Sequence, residues 1–218
     1  MKNEIKKYTK LIVGLFLCAV GIVTILNSNL GLSPWDVLNQ GLNIKFGITL
    51  GQANIIVGII VILIGLLFKQ PLGSGTILNV TLVGVFIDYI MYLDFIPKGN
   101  TYLVQGLIFI VGMIIFSLGC YMYISVGLGC GPRDGLMVVF TKKTGLSLGT
   151  VRFIMEFLAM SAGFLLGGRV FIGTALFSIT AGYMLQFYFK LFKEDVKAIE
   201  HRSVFKEVKM LKNYLKRV

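Results

Sequence analysis

Arg152 and Glu156 lie four residues apart in a stretch, Leu148 to Leu166, that is otherwise uncharged. Residues at that spacing share a helix face, so the two can pair. Glu156 sits about two turns in, roughly 12 Å by helix rise. An ionisable group at that depth in a bilayer is a candidate for holding a proton, an ion or a polar solute. Arg152 stands closer to the start of the run, where its side chain can also reach the interface. Asp88 is the lone charge in Leu72–Leu93, within two turns of an outer loop from which it can reach water. In "SPWDVLNQGLN", Asp36, Asn39, Gln40 and Asn43 recur at i, i+3, i+4 and i+7, one polar stripe opposite Trp35, Leu38 and Leu42. Asp134 occupies the related phrase "GPRDGLMVV", where the stripe is lost to Met137, Val138 and Thr141.

The candidates for a substrate pathway are therefore Asp36, Asn39, Gln40, Asn54, Asp134, Arg152, Glu156 and Asp88. A polar face at membrane depth must line water, a ligand path or other protein. Two plainer readings stand beside this one. Capping of a helix accounts for Asp36 and Asp134, and a helix lying among the headgroups accounts for the stripe. Catalytic chemistry has less to stand on. The chain shows no paired-carboxylate constellation, metal-ligand cluster, phosphate loop or nucleophile elbow. His201 is the sole histidine and lies in the tail, and Cys18, Cys120 and Cys130 have no ligand spacing. The expectation is a protein that is not an enzyme, with no cofactor and no metal site.

Elements long enough to hold these residues in a bilayer follow from the charge pattern. The chain is 56% hydrophobic and 14% charged, against about 25% charged in a soluble domain. No charge occurs between Lys10 and Asp36, Lys45 and Lys69, Lys98 and Arg133, or Arg169 and Lys190. Each interval can hold a spanning helix of roughly 20 residues, and Leu72–Leu93 and Leu148–Leu166 add two more. Continuous apolar runs exclude the alternation of a lipid-facing barrel. The net charge of +11 is concentrated in "MKNEIKKYTK" and in the C-terminal stretch, which places both termini on the cytoplasmic side. Nothing in the sequence points to nucleic acid. The tail places Val204, Val208, Leu211, Leu215 and Val218 on one face among lysines, a basic amphipathic helix suited to anionic inner-leaflet lipids or a partner helix.

The chain also repeats itself. At an offset of 98, without gaps, Gly14 and Gly21 fall on Gly112 and Gly119, and Leu30-Gly31 on Leu128-Gly129. Pro34, Asp36 and Leu38 fall on Pro132, Asp134 and Leu136, Leu50-Gly51 on Leu148-Gly149, and Gly75-Thr76 on Gly173-Thr174. Asn54 falls on Arg152, so both copies place a polar group there. Ser33 suits an N-cap with Pro34 in the first turn, and "TLGQ" at 49–52 suits a capping box. The helix from Pro34 to Lys45 is about 18 Å long, short of a hydrocarbon core of roughly 30 Å. If it does not cross, each copy crosses three times and the second starts on the opposite face. The expected fold is an all-α membrane protein of six transmembrane helices in two three-helix inverted-topology repeats, each with a short re-entrant or interfacial helix. Residues 1–192 form the membrane domain, with repeats at about 9–93 and 107–191, and 193–218 form the tail helix.

"GLSPWDVLNQGL…GITLGQANIIVG" and "KQPLGSGTILNVTLVGVFIDYI" resemble the YczE-like branch of the YitT group of bacterial integral membrane proteins, over most of residues 9–190. The resemblance implies a multi-pass protein of the bacterial plasma membrane and supplies no catalytic residues. The functional expectation is a transporter or channel for a small solute or ion. The alternative is a non-transporting module that docks or regulates partners through its basic tail. Partners are the lipid bilayer, a small solute or ion, and, compatibly with the sequence, a second copy of the chain.

Overall fold

A computed structural model of the chain describes residues 2–194 and 199–215. The described residues form helices and connecting segments, with no strand. In order these are α1 (Lys2–Asn27), α2 (Pro34–Phe46), α3 (Leu50–Leu67), α4 (Ser74–Leu93), α5 (Tyr102–Ser125), α6 (Pro132–Thr144), α7 (Leu148–Leu165), α8 (Ile172–Leu191) and α9 (Val204–Leu215). Among them α1, α3, α4 and α5 are long and apolar enough to cross a membrane. At 18 and 20 residues, α7 and α8 have comparable lengths. The tail begins its helix at Val204, after a non-helical segment at 199–203; Val218 lies outside the described residues.

Surface and interior are distributed as a lipid solvent requires. Ile56, Ile59, Ile60 and Leu63 on α3, Phe153, Phe157 and Leu158 on α7, and Ile179, Tyr183 and Phe187 on α8 are exposed. Ser28, Ser33, Asp36, Asn39, Asn54, Gln70, Thr76, Ser117 and Thr174 are buried. In water such contiguous apolar faces would drive association.

The first and fifth helices form the central seam. A Cβ added at Gly14 would lie 2.9 Å from the Gly119 carbonyl oxygen, and one at Gly112 would lie 3.2 Å from that of Gly21. The numbering rises on one helix as it falls on the other, so α1 and α5 run antiparallel. They are also the first helices of the two sequence copies. Small residues at these crossings let the backbones approach closely.

The copies then exchange contacts at matched positions. The Gly173 amide donates to the Leu30 carbonyl, and the Gly75 amide donates to the Leu128 carbonyl, both at 2.7 Å. Between them stand Gly31 and Gly129, with φ of 127° and 123°. A Cβ there would meet the Thr174 and Thr76 hydroxyls at 2.8 and 2.7 Å. A side chain is barred at both by backbone conformation and by space. Each copy thus starts its fourth helix, α4 or α8, on the loop of the other.

Candidate functional site

The first short helix is capped as its sequence predicts. Ser33 accepts a hydrogen bond from the Asp36 amide at 3.2 Å, Pro34 occupies the first turn, and Gly47 closes α2 in the left-handed conformation. Gly131 precedes Pro132 in α6, and Gly145 ends it in the same way. Thr49 and Gln52 form the expected capping box at α3.

The polar stripe of α2 faces protein. Asp36 and Asn39 are buried, and the Asn39 amide donates to Asp36 Oδ1 at 3.1 Å. The Ser33 hydroxyl donates to Asp36 Oδ2 at 2.5 Å. Gln40 Oε1 accepts from the Arg169 amide at 2.7 Å, tying α2 to the segment after α7. The Asn43 amide donates to the Ile48 carbonyl at 2.6 Å and closes the turn into α3. The opposite face, Trp35, Leu38 and Leu42, packs with Val57, Val61 and Leu136. A stripe consumed in this way leaves little for lipid headgroups. The exposed part of α2 is its end, at Ile44, Lys45 and Phe46.

The first turns of α2 and α6 meet. The Arg133 guanidinium lies over the Trp35 ring, 4.8 Å from its centroid. These two residues occupy the same position in the two copies. Asp36 and Asp134 follow these two residues directly in the chain, in the first turns of α2 and α6. Asp134 accepts from the Tyr123 hydroxyl at 3.3 Å. Arg152 Nε and Glu156 Oε1 pair at 2.9 Å, with the glutamate 18% exposed and the arginine 42%. The contact of Trp35 with Arg133 therefore brings the first turns that carry Asp36 and Asp134 together, while Arg152 and Glu156 pair with each other on α7. Asn54 is buried on α3.

Asp88 is placed elsewhere. It accepts from the Thr49 hydroxyl at 2.5 Å and from the Gly51 amide at 2.8 Å, so it serves the start of α3. Three residues that spacing did not single out belong at the junction. Arg133 could have been found by its alignment with Trp35, and Tyr123 by no local signal. Gln70 is 4% exposed, has no partner for either side-chain polar atom, and packs against Gly135 and Gly65.

The two halves are not seated equally. Gly41 and Gly163 bring α2 onto α7 backbone to backbone, where a Cβ at Gly163 would come within 2.5 Å of the Leu38 amide. The matching position to Gly41 is Val139, and the glycine pair is lost between α6 and α3. Residues 199–204 lie across the α6 side. The Arg202 amide donates to the Gly127 carbonyl and the Val204 amide to the Leu72 carbonyl, both at 2.8 Å. The Arg202 guanidinium holds Glu4 at 3.0 Å. Desolvation of His201 in this segment lowers its pKa from the ordinary value, and the Asp134 carboxyl opposes that shift.

Residues 5–190 match a protein family described as a family of unknown function, DUF6198. The uncharacterized membrane protein YczE of Bacillus subtilis (strain 168) is 37% identical over 190 residues, 86% of this chain and 87% of that one. An uncharacterized protein of Haemophilus influenzae (strain Rd KW20) is 33% identical, with 86% and 85% of the two chains covered. The uncharacterized protein YyaS of B. subtilis is 26% identical, with 84% and 92% covered. No solved structure matches. With that match over nearly the whole helical region and YczE as a relative, the chain belongs to the DUF6198 family and to a YczE-like group of membrane proteins.

Proposed function

We propose that the protein is a transporter or channel for a small solute or ion, built from two inverted three-span repeats with α2 and α6 re-entrant from opposite faces of a bacterial plasma membrane. The observation that carries this reading is the junction of the first turns of α2 and α6 at Trp35 and Arg133. Short helices whose N-terminal ends converge inside the bilayer offer positive dipole ends to a solute at mid-depth. The antiparallel α1–α5 seam supports the inversion, because three crossings per copy reverse the second copy and four do not. The closer seat of α2 on α7 gives the two sides unequal closure, as a state of alternating access would have. Both termini are then cytoplasmic, with α9 on the inner leaflet.

Cysteine labelling in cells tests the reading, in a background lacking Cys18, Cys120 and Cys130. Gln40→Cys and Val138→Cys occupy matched positions in the two copies. Labelling of the first from outside and of the second from the cytoplasm is expected. Labelling of both from one side overturns the inverted repeat, and protection of both makes α2 and α6 packing elements.

A further inference from the structure

Residues 199–204 are seated on the helical bundle through their backbone. The Arg202 amide donates to the Gly127 carbonyl and the Val204 amide to the Leu72 carbonyl, both at 2.8 Å. Arg202 Nη1 donates to both carboxylate oxygens of Glu4, at 3.1 and 3.0 Å. One short segment thus joins the start of α1, the loop before α4 and the loop before α6. Leu72 belongs to the first sequence copy and Gly127 to the second, so the segment crosses from one copy to the other. It crosses beside the bond from the Gly75 amide to the Leu128 carbonyl, on which α4 starts.

Glycines make the room for it. A Cβ added at Gly73 would lie 2.6 Å from the Arg202 carbonyl oxygen, and one at Gly127 would lie 2.9 Å from that of Glu200. The matched positions in the other copy are Phe171 and Asn29. Asn29 has a φ of 59° and Gly127 a φ of 68°, so the backbone conformation is shared and the glycine adds space. The room that admits the segment is therefore present where α6 begins and occupied by side chains at the matched positions where α2 begins. The attachment itself, two backbone hydrogen bonds and one part-exposed ion pair, is modest. Segments held at that strength open locally while the rest of a fold stays closed.

We infer that residues 199–204 are a releasable strap, latched by Arg202 on Glu4, that fastens the start of α6 to the first copy and must lift before α6 can shift against α4. This rests on the transport reading only in making that shift a gate on the cytoplasmic side; the strap itself stands on the hydrogen bonds, the ion pair and the glycine seat.

Hydrogen–deuterium exchange of the full chain in detergent, resolved to single amides, tests the strap. The Arg202 and Val204 amides report seating, the Gly75 amide reports the fastened loop, and the Gly173 amide, bonded to Leu30, is its matched control. Glu4→Gln is expected to speed exchange at Arg202, Val204 and Gly75 by about threefold, the range of a part-exposed ion pair, and to leave Gly173 unchanged. Gly127→Asn takes the residue of the matched position, tolerates the left-handed backbone and crowds Glu200. Exchange about tenfold faster is expected at the same amides. Glu4→Arg combined with Arg202→Glu should restore slow exchange at Val204 and Gly75, which a misfolded chain would not do. Unchanged exchange at Gly75 while Val204 is freed overturns the proposal. So does equal acceleration at Gly173, which marks general loosening, or a seat that stays protected in Glu4→Gln. The labelling experiment fails independently. Opposed labelling at Gln40→Cys and Val138→Cys without a selective Gly75 response keeps the pathway and sinks the strap, whereas one-sided labelling with that response does the reverse.

Discussion

Asp88 and Asp36 are both aspartates inside the helical bundle, and their neighbours give them different work. Asp88 spends both oxygens on the first turn of α3, at Thr49 and Gly51. Removing a charged cap that also holds a hydroxyl should be costly. Asp88→Ala is expected to lose about 1–3 kcal/mol of stability, read as a lower Tm in detergent, with Asp88→Asn recovering part of it. In sequence the two aspartates looked alike, each a lone carboxylate near a span. Asp36 was legible through its cap and its stripe. The role of Asp88 was not, because Thr49 and Gly51 lie 39 and 37 residues away and periodicity carries no information about such partners. The same holds for Gln40 with Arg169 and for Gln70, a loop residue whose surroundings are set by Gly65 on α3 and Gly135 on α6.

At the scale of helices, the short elements were legible nearly to the residue, because Ser33, Pro34 and Gly47 mark their own positions. Gly14, Gly21, Gly112 and Gly119, matched between the copies in the sequence, are paired across the seam in the structure. Gly21 is the sharpest case, since a Cβ would lie 2.6 Å from the backbone of Phe116. Gly21→Ala should therefore destabilise by about 1–3 kcal/mol through overpacking. Gly106→Ala, on α5 with nothing within 4 Å, should be neutral or slightly stabilising; thermal unfolding compares the two. The tail was read as one helix from 193, and the break at 199–203 was missed. Arg202 within it and Val204 just after it give their amides to the carbonyls of Gly127 and Leu72, a long-range demand that outweighs helical pattern. His201 rides on it. Its pKa is lowered when docked, against about 6.5 for a free imidazole. The undocked segment then binds the proton more readily, so docking is complete above that value and weakens as the pH falls through it. Proteolysis within 199–203 should be faster at pH 5.5 than at pH 7.5, and His201→Gln should flatten the difference.

For the whole molecule, the packing of one copy against the other can be tested without knowing the solute. Cys18 on α1 and Cys120 on α5 have their sulfurs 3.8 Å apart. With a protease site placed in the linker after α4, oxidation by copper phenanthroline should keep the cleaved halves together on a non-reducing gel. Separation of the halves would contradict the seam. The all-helical architecture with helices long and apolar enough to span was legible because charge spacing survives without any knowledge of contacts. The meeting of Trp35 with Arg133 was not, since it depends on how the copies face one another.

The paired bonds Gly173 to Leu30 and Gly75 to Leu128 have a consequence for the chain's autonomy. Cut between α4 and α5, neither piece can complete its own last helix start, and each carries the receptor for the other. Two such pieces are therefore complementary parts of a single object. On the proposed inverted topology, one such piece inserted both ways up would supply both roles.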